Sequence, residues 1–301
     1  MNRLFFYLLL FLSITLNSCI TYLNKELDMK PKLVLHCFVT PQLDTTILIL
    51  TNSAPLFTTN PRKIEAVANA TVEISDNNYS WVKMEFDTLF KVYFIPQVKF
   101  PIHEGKTYYI RASAPGFETI SSSCTVPYLR ETNFNFVVGE ICTRSHEPGW
   151  YYGPHRHNHF EWTDYAGEEN YYVFQNKTLH AIYGFDIYGE FTDTIYKYSY
   201  SFCYNEAHKP CISSDHGQDG KKMYEMLSPY YLYHSTIDTL NITMLQTDKH
   251  WHMYHMSLLD YNGDFQFFLL EPTPLYTNIK NGYGVFGAFV MREYVFEVDM
   301  E

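Results

Sequence analysis

The sequence lacks the short motifs that identify most enzyme classes. It contains no CxxC pair, no HExxH segment, no GxSxG elbow and no GxxxxGK[ST] loop. These absences argue against a structural zinc site, a zincin protease, an α/β-hydrolase and a P-loop enzyme. After residue 18 there is also no apolar run long enough to span a membrane as a helix. We therefore expect a non-enzymatic protein that carries no cofactor.

Basic residues are in short supply. The chain has 22 Lys and Arg against 33 Asp and Glu, a formal net charge of −11. This acidic surplus disfavours nucleic acid and anionic membrane surfaces as partners. Aromatic residues are plentiful by contrast, with 27 Tyr and 23 Phe. Most of them suit β-strands, and a few are expected to line a binding face, where Tyr and Trp meet both apolar groups and water.

Residues 1–18 have the pattern of a bacterial lipoprotein signal peptide. A short positive region and an apolar stretch lead into Leu-Asn-Ser followed by Cys19, as in a lipobox. We expect lipidation of Cys19, a tether over residues 19–30, and attachment to the membrane through lipid alone. Because Ile20 follows the cysteine in place of the Asp typical of inner-membrane retention, we expect the outer membrane. The periplasmic and surface faces both stay open.

Residues 31–127 form a run of short strands separated by turns. The strand segments are LVLHCFV, TTILILT, TVEIS, YSWVKME, FKVYFIP, KTYYIRAS and ETISSSCTV. They are rich in β-branched and aromatic residues, and Gly, Pro, Asn and Asp punctuate the gaps between them. About seven strands in roughly 95 residues is the density of an immunoglobulin-like β-sandwich, which we predict for this segment.

Residues 128–301 are predicted to form a larger β-rich domain with one amphipathic helix. The helix is expected within QTDKHWHMYHMSLLDYNG, which starts with a capping Thr or Asp, carries apolar residues at helical spacing and stops at Asn-Gly. The strands of this domain are expected at Phe134–Val138, Phe160–Trp162, Tyr171–Gln175, Ile195–Phe202 and Leu240–Leu245.

The cysteines after Cys19 suit an exported chain, in which disulfides can form. Cys203 and Cys211 flank a short polar loop and are the pair that we expect to be bridged. Cys37 and Cys124 lie in the first and last predicted strands of the sandwich, where they could pair across it. Cys142 is then left over.

Three histidines alternate in GPHRHNHF, at His155, His157 and His159. Alternate residues share one face of a strand, so two of these imidazoles could bind a metal ion, whereas a third collinear one usually cannot reach it. A solvated polar segment explains the pattern better. On the predicted helix, His252 and His255 lie within one turn and could chelate only weakly.

Aromatic residues directly before these histidines mark the entry to the second domain. If the protein binds a ligand, this is where we expect contacts, from the three histidines and from Trp150, Tyr151 and Tyr152.

Carboxylates gather around two glycine-containing turns. Asp164, Glu168 and Glu169 surround one turn, and Asp215 and Asp219 lie in the other. Calcium accepts such oxygens, but the spacing of an EF-hand is absent. We interpret both segments as hydrophilic turns.

The segment near the C-terminus holds a GxGxxG pattern at Gly282, Gly284 and Gly287. A dinucleotide site would need a strand before it, a helix after it and a downstream acid, and that context is missing. We interpret these glycines as structural, because they allow positive φ or close backbone approach.

Three longer segments carry a family resemblance: EPTPLYTNIKNGYGVFGAF, WTDYAGEENYY and EGKTYYIRASAPGFETISSSCTVP. Together they resemble the family called domain of unknown function 4249, over nearly all of the chain after the signal peptide. The resemblance implies a cell-envelope lipoprotein, often encoded near TonB-dependent receptors, with a β-sandwich followed by a second β-domain. It supplies no catalytic residues.

The expected function is therefore a non-enzymatic binding or accessory module that works beside a TonB-dependent receptor in nutrient uptake. An envelope-structural or adhesion protein is the first alternative, suggested by sandwich domains on a lipid tether. A metal- or carboxylate-dependent hydrolase is the second, because the spatial separation of carboxylates cannot be read from sequence.

Overall fold

The computed structural model describes residues 30–53, 65–139, 141–142, 155–156, 158–185, 191–205, 209–228, 239–263 and 274–297. Over these residues the chain is mainly β with one helix, as predicted. The strands of the first half are β1 (Leu33–Val39), β2 (Thr45–Asn52), β3 (Thr71–Ser75), β4 (Val82–Lys83), β5 (Glu85–Asp87), β6 (Val92–Pro96), β7 (Thr107–Ser113) and β8 (Ile120–Thr125). Those of the second half are β9 (Asn135–Val137), β10 (Ile141–Cys142), β11 (His155–Arg156), β12 (His159–Thr163), β13 (Tyr171–Phe185), β14 (Phe191–Phe202), β15 (Ile212–Ser214), β16 (Lys222–Met226), β17 (Thr239–Thr247) and β18 (Tyr283–Glu297).

The first eight strands lie in two sheets that share one core. One sheet is four-stranded, in the order β4-β3-β7-β8. Strands β1, β2, β5 and β6 belong to a nine-stranded sheet that also includes strands of the second half. Its order is β14-β13-β17-β18-β1-β2-β6-β5, and β15 pairs with β13. Strands β1 and β7 alternate buried and half-buried residues, so each sheet turns one face inward. Leu35 and Leu50 of the larger sheet and Ile110 of the smaller one join the same apolar cluster. The immunoglobulin-like strand arrangement stays a prediction.

The chain crosses from one sheet to the other at Met84. The segment predicted as one strand is two: β4 pairs with β3, and β5 pairs with β6. Met84 lies between them, is 1% exposed, and donates its backbone N–H to Val72 O at 2.9 Å. Burial of this side chain between the layers explains why the strand breaks here.

Strand β18 connects the two halves of the chain. Tyr283–Ala288 pair in parallel with β1, and Phe289–Glu297 pair antiparallel with β17. At the start of this strand Gly284 has φ +100°, and a Cβ there would lie 2.0 Å from Leu35 O. Only glycine permits this backbone approach. The predicted domain boundary at residues 127–128 stays a prediction.

The second half has an aromatic core of its own. Phe160, Trp162, Tyr172 and Phe174 are each at most 1% exposed and pack with Phe134. Strands β12 and β13 bring these rings together, β12 lying between β16 and β9 in a three-stranded sheet. Strands β10 and β11 form a separate pair.

The predicted helix is α1 (Lys249–Gly263). Asp248 caps it, since Asp248 Oδ1 accepts a hydrogen bond from Trp251 N at 2.8 Å. Trp251 is 4% exposed and packs with Val173 and Leu245 of the large sheet. Within the part of the chain that the structure describes, no helix is both long enough and apolar enough to cross a membrane.

Candidate functional site

An open groove of about 440 Å³ lies on the four-stranded sheet, beside its β8 edge. Strands β7 and β8 provide the floor. Because Tyr108, Ile110 and Ala112 of β7 point into the core, Tyr109 and Arg111 point outward into the groove.

Two cross-strand pairs build this floor. Tyr109 lies opposite Ser123, and Arg111 lies opposite Ser121. The floor therefore alternates long side chains from β7 with small hydroxyl side chains from β8. This leaves room above β8 for a ligand and keeps hydroxyl groups available to it.

The loop between β3 and β4 supplies one side of the groove, through Asn78 and Trp81. The Arg111 guanidinium lies 4.1 Å from the centre of the Trp81 ring. Arg111 Nε donates to Glu73 Oε2 at 2.7 Å, while its two Nη groups bond to no described residue. Glu73 thus holds Arg111 in place, and the N–H groups on its two Nη atoms are available to donate hydrogen bonds to a ligand.

The segment before β18 supplies the opposite side. Lys280 bridges to Ser121 through backbone hydrogen bonds of 2.8 and 3.4 Å. Asn278 is fixed by Ser122, whose Oγ donates to Asn278 O at 2.9 Å, and by side-chain hydrogen bonds to the backbone of Phe286. The Lys280 side chain is exposed and makes no ion pair with the described residues.

Helix α1 contributes His250 to the groove. Its Nδ1 lies 2.7 Å from Tyr276 Oη, and the two rings stack with centres 6.1 Å apart. Burial lowers the pKa of His250, and neighbouring Lys249 lowers it further, which favours the neutral imidazole. Among the described groove residues, no serine hydroxyl hydrogen-bonds to this imidazole.

The charge lining the groove has one sign. Arg111 and Lys280 are its charged side chains, and no carboxylate is among its described lining residues. The charged side chains of the groove are therefore positive, although the whole chain has a net charge of −11. With its hydroxyls, amides and aromatic rings, the groove can hold a polar, negatively charged molecule.

A second cluster consists of Asp164, Asp215 and Asp219. One carboxylate oxygen of each lies within 4.8 Å of the others. Asp164 and Asp215 are buried, at 4% and 7% exposure. Burial raises the pKa of Asp215, and the charges of Asp164 and Asp219 add to that effect. Carboxylates at this separation could serve as ligands of a divalent cation.

The hydrogen bonds of these carboxylates also give the cluster a structural role. Asp164 accepts from Tyr172 Oη at 2.6 Å and from Gly220 N at 2.8 Å. Asp215 accepts from Asn170 N at 3.0 Å. The cluster thereby ties the turn after β12 to the loop between β15 and β16.

The sequence analysis placed Asp164 in one group with Glu168 and Glu169, and the structure separates them. Glu168 accepts two hydrogen bonds from Arg130, from Nε to Oε1 at 2.7 Å and from Nη2 to Oε2 at 3.0 Å. Glu169 accepts a hydrogen bond from Tyr171 Oη at 2.9 Å. Both glutamates therefore have partners outside the aspartate cluster.

Most of the predicted ligand-binding residues lie outside the described residues: Trp150, Tyr151, Tyr152 and His157. His155 lies on β11 and His159 on β12, which belong to different sheets. His159 is half-buried, with Nε2 4.0 Å from Glu161 Oε2. The proposed role of this segment in binding a ligand or a metal stays a prediction.

The helix histidines pack against aromatic rings. His252 lies 4.5 Å from the Tyr171 ring, and His255 lies 3.6 Å from the Trp251 ring, centre to centre. Burial lowers the pKa of His252 to about 4. His255 Nδ1 contacts Trp251 O at 2.8 Å. His252 is therefore a buried packing residue, and His255 is a half-buried residue that packs on Trp251.

The four cysteines whose side chains the structure describes are all buried. Cys203 and Cys211 are both buried, and Cys211 N donates to Cys203 O at 2.7 Å. Cys37 and Cys124 are buried in the shared core of the two sheets. The structure contains no disulfide bond in either pair. The Cys203–Cys211 bridge and lipidation of Cys19, which lies outside the described residues, stay predictions.

Sequence reasoning missed the groove. Its residues come from the β3–β4 loop, β7, β8, α1 and the segment before β18, and no periodic pattern relates them. The one available signal was the Ser-Ser-Ser run of β8, since small hydroxyl residues in a strand leave an outward face open.

Comparison with known proteins assigns the chain to a family. No curated protein matches the chain. The model of the family described as Domain of unknown function (DUF4249) matches residues 21–294, which is most of the chain. The protein therefore belongs to the DUF4249 family.

Proposed function

We propose that this protein is a lipid-anchored protein of the outer membrane that binds a ligand without transforming it. In this proposal it works beside a TonB-dependent receptor in nutrient uptake. The observation that carries the proposal is the groove on the four-stranded sheet, which combines aromatic, hydroxyl and cationic side chains. Ligand sites in proteins commonly combine a concave shape with a few such polar groups.

The chemistry of the groove favours binding over catalysis. A nucleophilic serine would need a base within hydrogen-bond reach. The described groove residues offer no such pair: His250 is hydrogen-bonded to Tyr276, and Ser122 Oγ donates to a backbone carbonyl. They also include no carboxylate that could act as a general acid or base.

The test is to isolate the native lipoprotein from its own membranes in mild detergent and to identify co-purifying proteins by mass spectrometry. We expect a TonB-dependent receptor in stoichiometric amount, and an acylated peptide that contains Cys19. A Cys19→Ala variant is the matched control, because it should lose both membrane attachment and the receptor. A wild-type preparation without any receptor would contradict the proposal.

Two further assays separate the alternatives. A deletion strain with normal nutrient uptake but altered surface attachment would favour an adhesion or structural role. Hydrolytic activity that disappears in a His157→Ala or Asp164→Asn variant, while the fold is retained, would favour a hydrolase.

A further inference from the structure

We propose that the groove on the four-stranded sheet binds an acidic carbohydrate, with the anionic group of the sugar held between Arg111 and Lys280. The anionic group is a carboxylate, a sulfate or a phosphate. This inference rests on the binding function proposed above and adds the class of ligand to it.

The first argument is charge. Glu73 engages only Nε of Arg111, which leaves two Nη groups of the guanidinium without a partner among the described residues. Lys280 is exposed and has no ion-pair partner there. A guanidinium fork matches the oxygens of a carboxylate or a phosphate, and an ammonium adds a second positive charge. No carboxylate is among the described lining residues, and the negative charge of Glu73, outside the groove, is paired with Arg111 Nε.

The second argument is the remainder of the lining. Thr119, Ser121 and Ser123 present hydroxyls, each of which can donate and accept, and Asn78 presents an amide. These groups match a ligand that carries many hydroxyls. Trp81 and Tyr109 add aromatic surface of the kind that packs against the apolar faces of a sugar ring.

The third argument is size. A volume of about 440 Å³ is far larger than a lone carboxylate, sulfate or phosphate ion needs. It falls within the range of roughly 300–1,000 Å³ that is typical of small-molecule sites. An oligosaccharide of a few rings fits this volume and places its anionic group beside the two cations.

An acidic peptide fits less well. Extended peptides commonly add as a strand to an open sheet edge. On the groove side that edge is β8, and Lys280 already bonds to Ser121 there. A peptide could not use this pairing without displacing the segment before β18.

The experiment is calorimetric titration of the purified full-length protein in detergent. The probes are an oligogalacturonate, a sulfated galactose oligosaccharide and a phosphorylated mannose oligosaccharide, each with its neutral parent sugar, and a decamer of glutamate. We expect at least one acidic sugar to bind at least tenfold more tightly than its parent, with affinity that falls as salt rises.

Variants connect this binding to the groove. Lys280→Ala should weaken binding about ten- to a hundredfold, because a hydrogen bond to a charged group is lost. Arg111→Lys should also weaken it, since the charge remains but the planar fork does not. Lys83→Ala is the matched control: Lys83 is exposed on β4 of the same sheet, makes no ion pair with a described residue and does not line the groove.

Four outcomes would overturn the inference: no binding of any acidic sugar, equal binding of the neutral parent, equal binding of the glutamate decamer, or equal effects of Lys83→Ala and Lys280→Ala. If the receptor co-purifies but no acidic sugar binds, the ligand class is wrong and the accessory function stands. If an acidic sugar binds but no receptor is found, the accessory function is wrong and the ligand class stands.

Discussion

The guanidinium carbon of Arg111 lies 4.1 Å from the centre of the Trp81 ring, above the outward face of the four-stranded sheet. A cation at this distance is attracted by the electron-rich face of the ring. The contact links the β3–β4 loop to β7, and thus one side of the groove to its floor. Each residue should therefore depend on the other for its position.

This dependence can be measured as a coupling energy. In a double-mutant cycle with Trp81→Ala and Arg111→Ala, we expect a coupling of about 0.5–1 kcal/mol in the free energy of unfolding, measured by urea denaturation. A matched cycle with Trp81→Ala and Lys83→Ala should give a clearly smaller coupling, because among the described cations Arg111, and not Lys83, lies over the Trp81 ring. Equal coupling in both cycles would show that the arginine–tryptophan contact contributes nothing specific.

Gly284 tests the junction between the two halves of the chain. We expect Gly284→Ala to lower the free energy of unfolding by about 3 kcal/mol or more, because the new methyl group combines a positive φ with a collision against Leu35 O. Gly116→Ala is the control, since Gly116 has φ +83° but a Cβ there would have no other atom within 4 Å. Gly116→Ala should lower the free energy of unfolding by only about 1–2 kcal/mol. Similar losses in the two variants, by urea denaturation, would contradict the steric account.

Local patterns predicted the strands of the first half well. The segments LVLHCFV and TVEIS coincide with β1 and β3, because β-branched and aromatic residues favour strands and turn residues mark the ends of the segments. The break at Met84 was missed, since a change of sheet leaves the same apolar spacing in the sequence. The pairing of β18 with β1 joins residues about as far apart as the chain allows, and no local signal encodes it.

The candidate sites also depend on contacts between distant parts of the chain, which the sequence does not reveal. Asp164 and Asp215 looked like members of two unrelated polar turns, and they meet because β12 pairs with β16 and β13 pairs with β15. Lys280 appears in the sequence as one more exposed lysine. The structure shows it as a groove residue, because its backbone bridge to Ser121 places it beside the floor of the groove.

The cysteine pair leads to a redox prediction. The backbone hydrogen bond from Cys211 to Cys203 brings two buried cysteines together at the ends of a short loop. In protein purified from an oxidising compartment, we expect a disulfide between them. Alkylation in denaturant without reductant, followed by mass spectrometry, should leave both unmodified, and prior reduction should make both reactive. Denaturant is needed because burial alone would also protect the thiols. Alkylation of both without reductant would show that the bridge is absent.

Asp248 gives a prediction about pH. Burial raises the pKa of this helix-capping carboxyl from its ordinary value of about 4 to about 7. Between these values the folded protein keeps a proton that the unfolded chain has lost. The contribution of Asp248 to stability is therefore greatest below about pH 4, falls as the pH rises to about 7, and is constant above that.

Asp248→Asn removes this titration and keeps a side chain that caps helices well. The free energy of unfolding of the variant, minus that of the wild type, should rise between pH 4 and pH 7 by on the order of 2–4 kcal/mol and then level off. His252, whose pKa burial lowers to about 4, acts with the opposite sign, but it is present in both proteins and cancels in the difference. For Asp248→Ala, the same difference in the free energy of unfolding should rise with pH in the same way. It should be about 1 kcal/mol lower at every pH, because the helix cap is lost. Urea denaturation from pH 4 to pH 8 measures all three proteins, and a difference that does not vary with pH would show that Asp248 is not the titrating group.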